Sequence, residues 1–111
     1  MESREKLSAC EEMIMSILWS ADEDLDLMTV TAKAEERFGK VWKLQTVATF
    51  MTRLEKNKYI SIYKVGRYSH YQPIVSLDEY RDMKLKEITD LLFAGKREFF
   101  YHYIDIKRYE K

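Results

Sequence analysis

The chain has 111 residues, with 19 Lys and Arg against 19 Asp and Glu, and with three Gly, one Pro and one Cys. That length suits one domain with a short appendage, and it can bury a core without disulfide or metal staples. A lone Cys10 excludes an internal disulfide or a thiolate cluster, and two histidines with no Gly-rich phosphate loop assemble no catalytic constellation, so an enzyme is not expected.

No cofactor or metal is expected. The longest largely apolar stretch, around Met13–Trp19, is broken by Ser16 and too short to span a bilayer. The opening MESREKLS lacks the hydrophobic core of a signal peptide. The expectation is a cytoplasmic protein without membrane insertion.

Ser8 and Glu11 have capping-box spacing and open a first helix. Cys10, Met13, Ile14, Ile17 and Leu18 recur at helical spacing, with Cys10 read as a buried helix residue, and the helix is expected to end near Trp19–Ser20. The acidic stretch Asp22–Glu23–Asp24–Leu25–Asp26 reads as a solvated loop, and Leu27–Met28–Thr29 as a short strand. A second helix over Val30–Phe38 stops at Gly39. A third runs from about Leu44 to Lys56, with Leu44, Val47, Phe50 or Met51, and Leu54 as its apolar stripe. The opposite face carries Gln45, Thr46, Ala48, Thr49, Thr52 and Arg53. The period then changes to two. Tyr59–Tyr63 and Tyr68–Tyr71 flank the turn Val65–Gly66–Arg67, which predicts a hairpin closed by Pro73. Ser76 and Glu79 open a fourth helix, Leu77–Phe93, striped by Leu85, Ile88, Leu91 and Leu92, with Gly95 as its stop. A fifth, roughly Arg97–Lys107, is crowded with Phe99, Phe100, Tyr101, Tyr103 and Ile104.

The neutral total hides a charge segregation. Residues 40–71 hold Lys40, Lys43, Arg53, Lys56, Lys58, Lys64 and Arg67 against Glu55 alone, whereas residues 1–39 carry four cations and ten acids. A concentrated basic segment suggests a polyanion-binding face. Three helices with a short strand after the first, followed by a hairpin, is the order of a winged helix-turn-helix, whose third helix enters the DNA major groove and whose wing lies along the backbone. The fold class expected is mainly α with a small β-hairpin.

The basic charge sits on that third helix and hairpin. Gln pairs with adenine, Thr reaches a base edge or phosphate, and a Thr or Ala methyl meets the thymine methyl. Gln45, Thr46, Ala48, Thr49 and Thr52 are the candidate readers. The helix N-terminus near Lys43 offers backbone N–H groups to a phosphate. Arg53, Lys64 and Arg67 are candidate phosphate contacts that set register. Each has a plainer reading: a surface ion pair from Arg53 to Glu55 or to another helix, helix-start capping by Gln45 and Thr46, and solubility at the hairpin tip. Trp42 is expected to anchor the core, or to offer its indole N–H to a phosphate. The rival function is a winged helix used for protein–protein interaction without DNA binding.

Leu7–Ser8 with Glu11–Trp19, Trp42 with Thr46–Val47 and Thr49–Lys56, and the wing residues Gly66–Arg67, Tyr71 and Pro73 together resemble the BlaI/MecI/CopY family of penicillinase-type repressors. The resemblance spans roughly residues 7–93. It implies a homodimeric repressor whose residues 1–75 bind half of a palindromic DNA operator and whose residues 76–111 pair with a second subunit. Family groove and phosphate contacts fall here on Gln45, Thr46, Ala48, Thr49 and Arg53, with Arg67 on the wing.

This chain departs from the family pattern at Lys43, where a Ser is usual, at Ala48, where a longer residue is usual, and at Lys58, where a Gly is usual and Asn57 just before it is able to turn left-handed. Lacking Cys-x-Cys motifs, it falls outside the copper-responsive branch. In the β-lactam branch a membrane sensor peptidase pathway triggers cutting at an Asn-Phe bond; Asn57, the one Asn here, is followed by Lys58. Relatives carry a further C-terminal helix, and here the chain ends on the aromatic fifth helix. The dimer contact is expected from Leu85, Ile88, Leu92, Phe99, Phe100 and Tyr103, since aromatic side chains are enriched at interface cores. Folding back as core, or lining a small-molecule pocket, are the other uses of these rings.

Overall fold

The structure is a computed structural model and describes residues 4–110. The chain divides into two compact units, Met1–Ser76 and Leu77–Lys111.

In the first unit, α1 spans Ala9–Trp19. Its capping box is complete: the Ser8 hydroxyl accepts from Glu11 N at 3.2 Å, and Glu11 Oε1 accepts from Ser8 N at 2.9 Å. β1 is Leu25–Asp26 and α2 runs Leu27–Phe38. These two correct the expectation of a strand at Leu27–Thr29. The Asp26 carboxylate accepts from Thr29 N at 2.9 Å, so the helix begins at Leu27, three residues earlier than expected. Leu25, placed by the sequence in a solvated loop, is buried and pairs with Tyr71. Gly39 ends α2 at φ +66, where a residue with a Cβ is disfavoured.

The third helix, α3, covers Leu44–Lys56. Strands β2 (Ile60–Val65) and β3 (Tyr68–Pro73) form the hairpin, with Lys64 opposite Ser69 and Val65 opposite Tyr68. Gly66 takes φ +63 at the first position of the two-residue loop. With β1 on the far side of β3, the sheet has three antiparallel strands in the order β1-β3-β2.

The core comprises Ile14, Met15, Ile17 and Leu18 of α1, Val30 and Ala34 of α2, and Val47, Met51 and Leu54 of α3, closed by Tyr59, Ile60 and Tyr71. The α1 stripe differs from the expected one: Met15 is fully buried, while Cys10 and Met13 are half-buried. On α3, Leu44 at the first turn is 46% exposed, and Val47 is the first residue of the stripe to reach the core. Buried Tyr59 donates its hydroxyl to the Glu5 carbonyl at 2.7 Å, and Trp19 Nε1 donates to the Val75 carbonyl at 2.9 Å.

In the second unit, α4 spans Leu77–Leu92 and α5 spans Arg97–Lys107. The chain turns between them through Ala94 at φ +53 and Gly95 at φ +74, with Gly95 N donating to the Thr89 carbonyl at 2.9 Å. Phe93 packs against Phe100 and Tyr103, with ring centroids 5.3 and 5.6 Å apart. Among the described residues of α5 none is buried.

Candidate nucleic-acid interface

Helix α3 is strongly two-faced. Val47, Met51 and Leu54 point inward, while Gln45, Thr46, Thr49, Thr52 and Arg53 are exposed and Ala48 is half-buried. No acidic side chain occupies this outer face before Glu55. Lys43 precedes the helix in extended conformation and makes no side-chain cap. Its carbonyl receives Thr46 N and Val47 N at 3.0 and 3.2 Å, which leaves the Leu44 and Gln45 amides without a carbonyl partner inside the helix. Uncapped amides at a helix start form a locally positive end that suits an anion.

The two inner threonines are constrained. Thr49 Oγ1 donates to the Gln45 carbonyl at 3.0 Å, and Thr52 Oγ1 donates to the Ala48 carbonyl at 3.1 Å. Each hydroxyl hydrogen is thereby used within the helix. What each presents outward is an acceptor oxygen and a methyl group.

Arg53 lies at the end of this face with its side chain 57% exposed. Its Nε stands 3.7 Å from Glu11 Oε2 of α1, so the ion pair runs to another helix and not to Glu55. Lys64 and Arg67 are exposed on the hairpin and have no ion-pair partner among the described residues. Trp42 is half-buried, its ring 5.3 Å from that of Phe50.

Between α3, the hairpin and the start of α2 lies an open groove of about 350 Å³. Ala48 and Thr52 form one wall and Arg67, Tyr68 and Ser69 the other, with Leu27 and Met28 along one edge. Tyr68, 53% exposed, and Met28, 63% exposed, line this groove although the sequence did not single them out. Tyr68 carried one signal, its place directly after the hairpin turn. Met28 carried none, since its position depends on where α2 begins. Behind the hairpin, Tyr63 donates its hydroxyl to Asp24 Oδ2 at 2.6 Å and stacks on His70, with centroids 5.8 Å apart. Those contacts tie the wing to the loop before β1. The Asp24 carboxylate accepting that bond pushes the Tyr63 phenol above its usual 10.0.

The profile of the penicillinase repressor family matches residues 7–106. The chain belongs to the penicillinase repressor family. It is a family of transcriptional repressors and not of enzymes. The fold is similar to the solution structure of the DNA-binding domain of the repressor BlaI, with a TM-score of 0.60 and 22% identity over 72% of this chain and 94% of that one. That likeness makes the first unit of this penicillinase repressor family member a winged helix. No curated protein sequence matches the chain.

Among the described residues no three or more of His, Cys, Asp and Glu group as metal ligands, and no helix is long and apolar enough to cross a membrane.

Proposed function

We propose that the chain is a dimeric, sequence-specific DNA-binding repressor, with α3 in the major groove of a palindromic operator and the wing on the backbone. The observation that carries this reading is the outer face of α3. It is short and polar, and it lacks acid before Glu55. Its uncapped N-terminus and the wing cations Lys64 and Arg67 lie around it. Charge around a nearly neutral reading surface suits base recognition, because phosphate contacts position the protein and base contacts specify the site. The DNA-binding role of the BlaI domain and the repressor family point the same way.

In this reading Lys43, Arg53, Lys64, Arg67 and the α3 N-terminus hold phosphates. Gln45, Thr46, Ala48, Thr49 and Thr52 face base edges. The second unit supplies the dimer contact. Leu92 is 68% exposed, and Ile88, Phe99 and Tyr103 are exposed as well. Leu85 and Phe100 are half-buried. This much uncovered apolar surface on two short helices suits an interface core better than solvent. The reading places the protein in the cytoplasm, and a membrane sensor peptidase could relieve repression only by cutting somewhere other than an Asn-Phe bond.

A mobility-shift titration against the promoter upstream of its own gene, repeated at several salt concentrations, tests the reading. With about six to eight phosphates neutralised by a dimer, log K should fall with log salt at a slope of about −5 to −7. A slope near zero would overturn it, and a folded dimer that binds no DNA would favour the protein-interaction alternative.

A further inference from the structure

Glu11 is built for more than its cap. The capping box uses only Oε1, which accepts Ser8 N, and a neutral Gln would serve as well. Yet the residue is a carboxylate, 2% exposed, and among the described residues no hydrogen bond reaches its Oε2. A buried carboxylate is unfavourable unless a cation faces it. The cation that faces it is Arg53, through Nε at 3.7 Å. Among the described residues no hydrogen bond occupies the Nη groups of that guanidinium.

We propose that Glu11 is a positioning residue for DNA binding: from the buried side it orients Arg53, so that the Nη edge of the guanidinium is presented to a phosphate. This rests on the reading of α3 as the DNA-docking helix. The distance is longer than a charge-assisted hydrogen bond, so the attraction turns the planar group without consuming its outer donors. Arg alone among cationic side chains can serve both directions, with Nε–H inward and the four Nη–H outward; an ammonium is a single point. Fixing a long exposed side chain before docking also lowers the ordering entropy lost on binding.

Simple electrostatics predicts the opposite sign. Removing an acid from a protein that meets a polyanion should tighten binding. Positioning demands that Glu11→Gln weaken it.

The test uses the full chain and the duplex that the unaltered chain selects from a random-sequence pool. Affinity is measured by fluorescence anisotropy across a salt series, with the melting temperature of each variant recorded. Glu11→Gln should bind about fivefold more weakly, with the salt slope shallower by about 1 for each phosphate that Arg53 no longer holds. Arg53→Lys, which keeps the charge, should bind about tenfold more weakly, and adding Glu11→Gln to it should change little. Ser8→Ala, which breaks the cap and leaves the ion pair, should lower the melting temperature without altering the slope. Equal or tighter binding by Glu11→Gln, unaltered binding by Arg53→Lys, or independent losses in the double variant would overturn the proposal while DNA binding by the unaltered chain stands. If Glu11→Gln does not fold, Glu11→Asp takes its place: it keeps the charge but draws it back from Arg53 Nε, so it should weaken binding in the unaltered background and change little beside Arg53→Lys, and equal or tighter binding by it would overturn the proposal. Failure of the unaltered chain to select any duplex would overturn the DNA reading and this proposal together.

Discussion

Lys58 is the residue at which local preference and fold conflict most plainly. It takes φ +66, while Asn57, better suited to that conformation, stays at φ −88. The exit from α3 requires it: Tyr59 N donates to the Leu54 carbonyl at 2.9 Å, which swings buried Tyr59 under the helix. The left-handed residue therefore falls at Lys58, one place later than the sequence suggested. Lys58→Gly should stabilise the chain by about 0.5–1 kcal/mol, the Cβ penalty relieved less the entropy of a more flexible unfolded chain, as read by urea unfolding.

At Asp26 the conflict is absent. The Thr29 side chain, and then its backbone N–H, hold the Asp26 carboxyl below its usual 3.8. A folded value below the unfolded one means that the stabilisation is present above about pH 4 and drains away as pH falls through the lowered value. Asp26→Ala should lose about 1 kcal/mol at pH 7. Asp26→Asn should retain most of the cap and show no such acid dependence at this site, measurable by unfolding at pH 7 and pH 3.

On the scale of elements, α3 was legible almost to the residue, because its amphipathic period and its flanking turn chemistry are local. Its bounds, Leu44–Lys56, are those expected, and so are the bounds of α5. The start of α2 was not legible. An acidic run reads as solvated loop unless one knows that Leu25 meets Tyr71 across a sheet and that Asp26 caps the helix behind it. That pairing joins residues 46 positions apart, and no local pattern announces it.

Chemistry on α3 was partly legible in the same sense. Spacing put the threonines on the outer face, but their bonds to the Gln45 and Ala48 carbonyls decide what they offer. If Thr49 meets a thymine methyl through its own, Thr49→Val should preserve operator discrimination. Thr49→Ala should reduce it by about 1–3 kcal/mol, measured as the affinity ratio between selected and random duplexes. Loss in both variants would instead point to the hydroxyl oxygen as acceptor.

On the scale of the whole molecule, neutrality conceals two differently equipped units. The first closes its core with residues from all three helices and the sheet. The second leaves Leu91, Leu92, Phe99, Ile104 and Ile106 exposed on two helices whose aromatic contacts centre on Phe93. If these residues form the subunit contact, the full chain carrying both Leu92→Glu and Phe99→Glu should sediment as a monomer at concentrations where the unaltered chain is a dimer. Its affinity for a palindromic duplex should fall by tenfold or more, since two linked half-sites raise avidity by about 10²–10⁴.

Periodicity, capping residues and turn residues are local, so the sequence by itself determined the order of helices and strands, the family and the polar face of α3. Contacts between distant residues are set by packing, which no spacing encodes. Tertiary structure alone placed Leu25 beside Tyr71, turned Lys58 left-handed to seat Tyr59, and brought Glu11 to Arg53, where a buried carboxylate and the candidate DNA face meet.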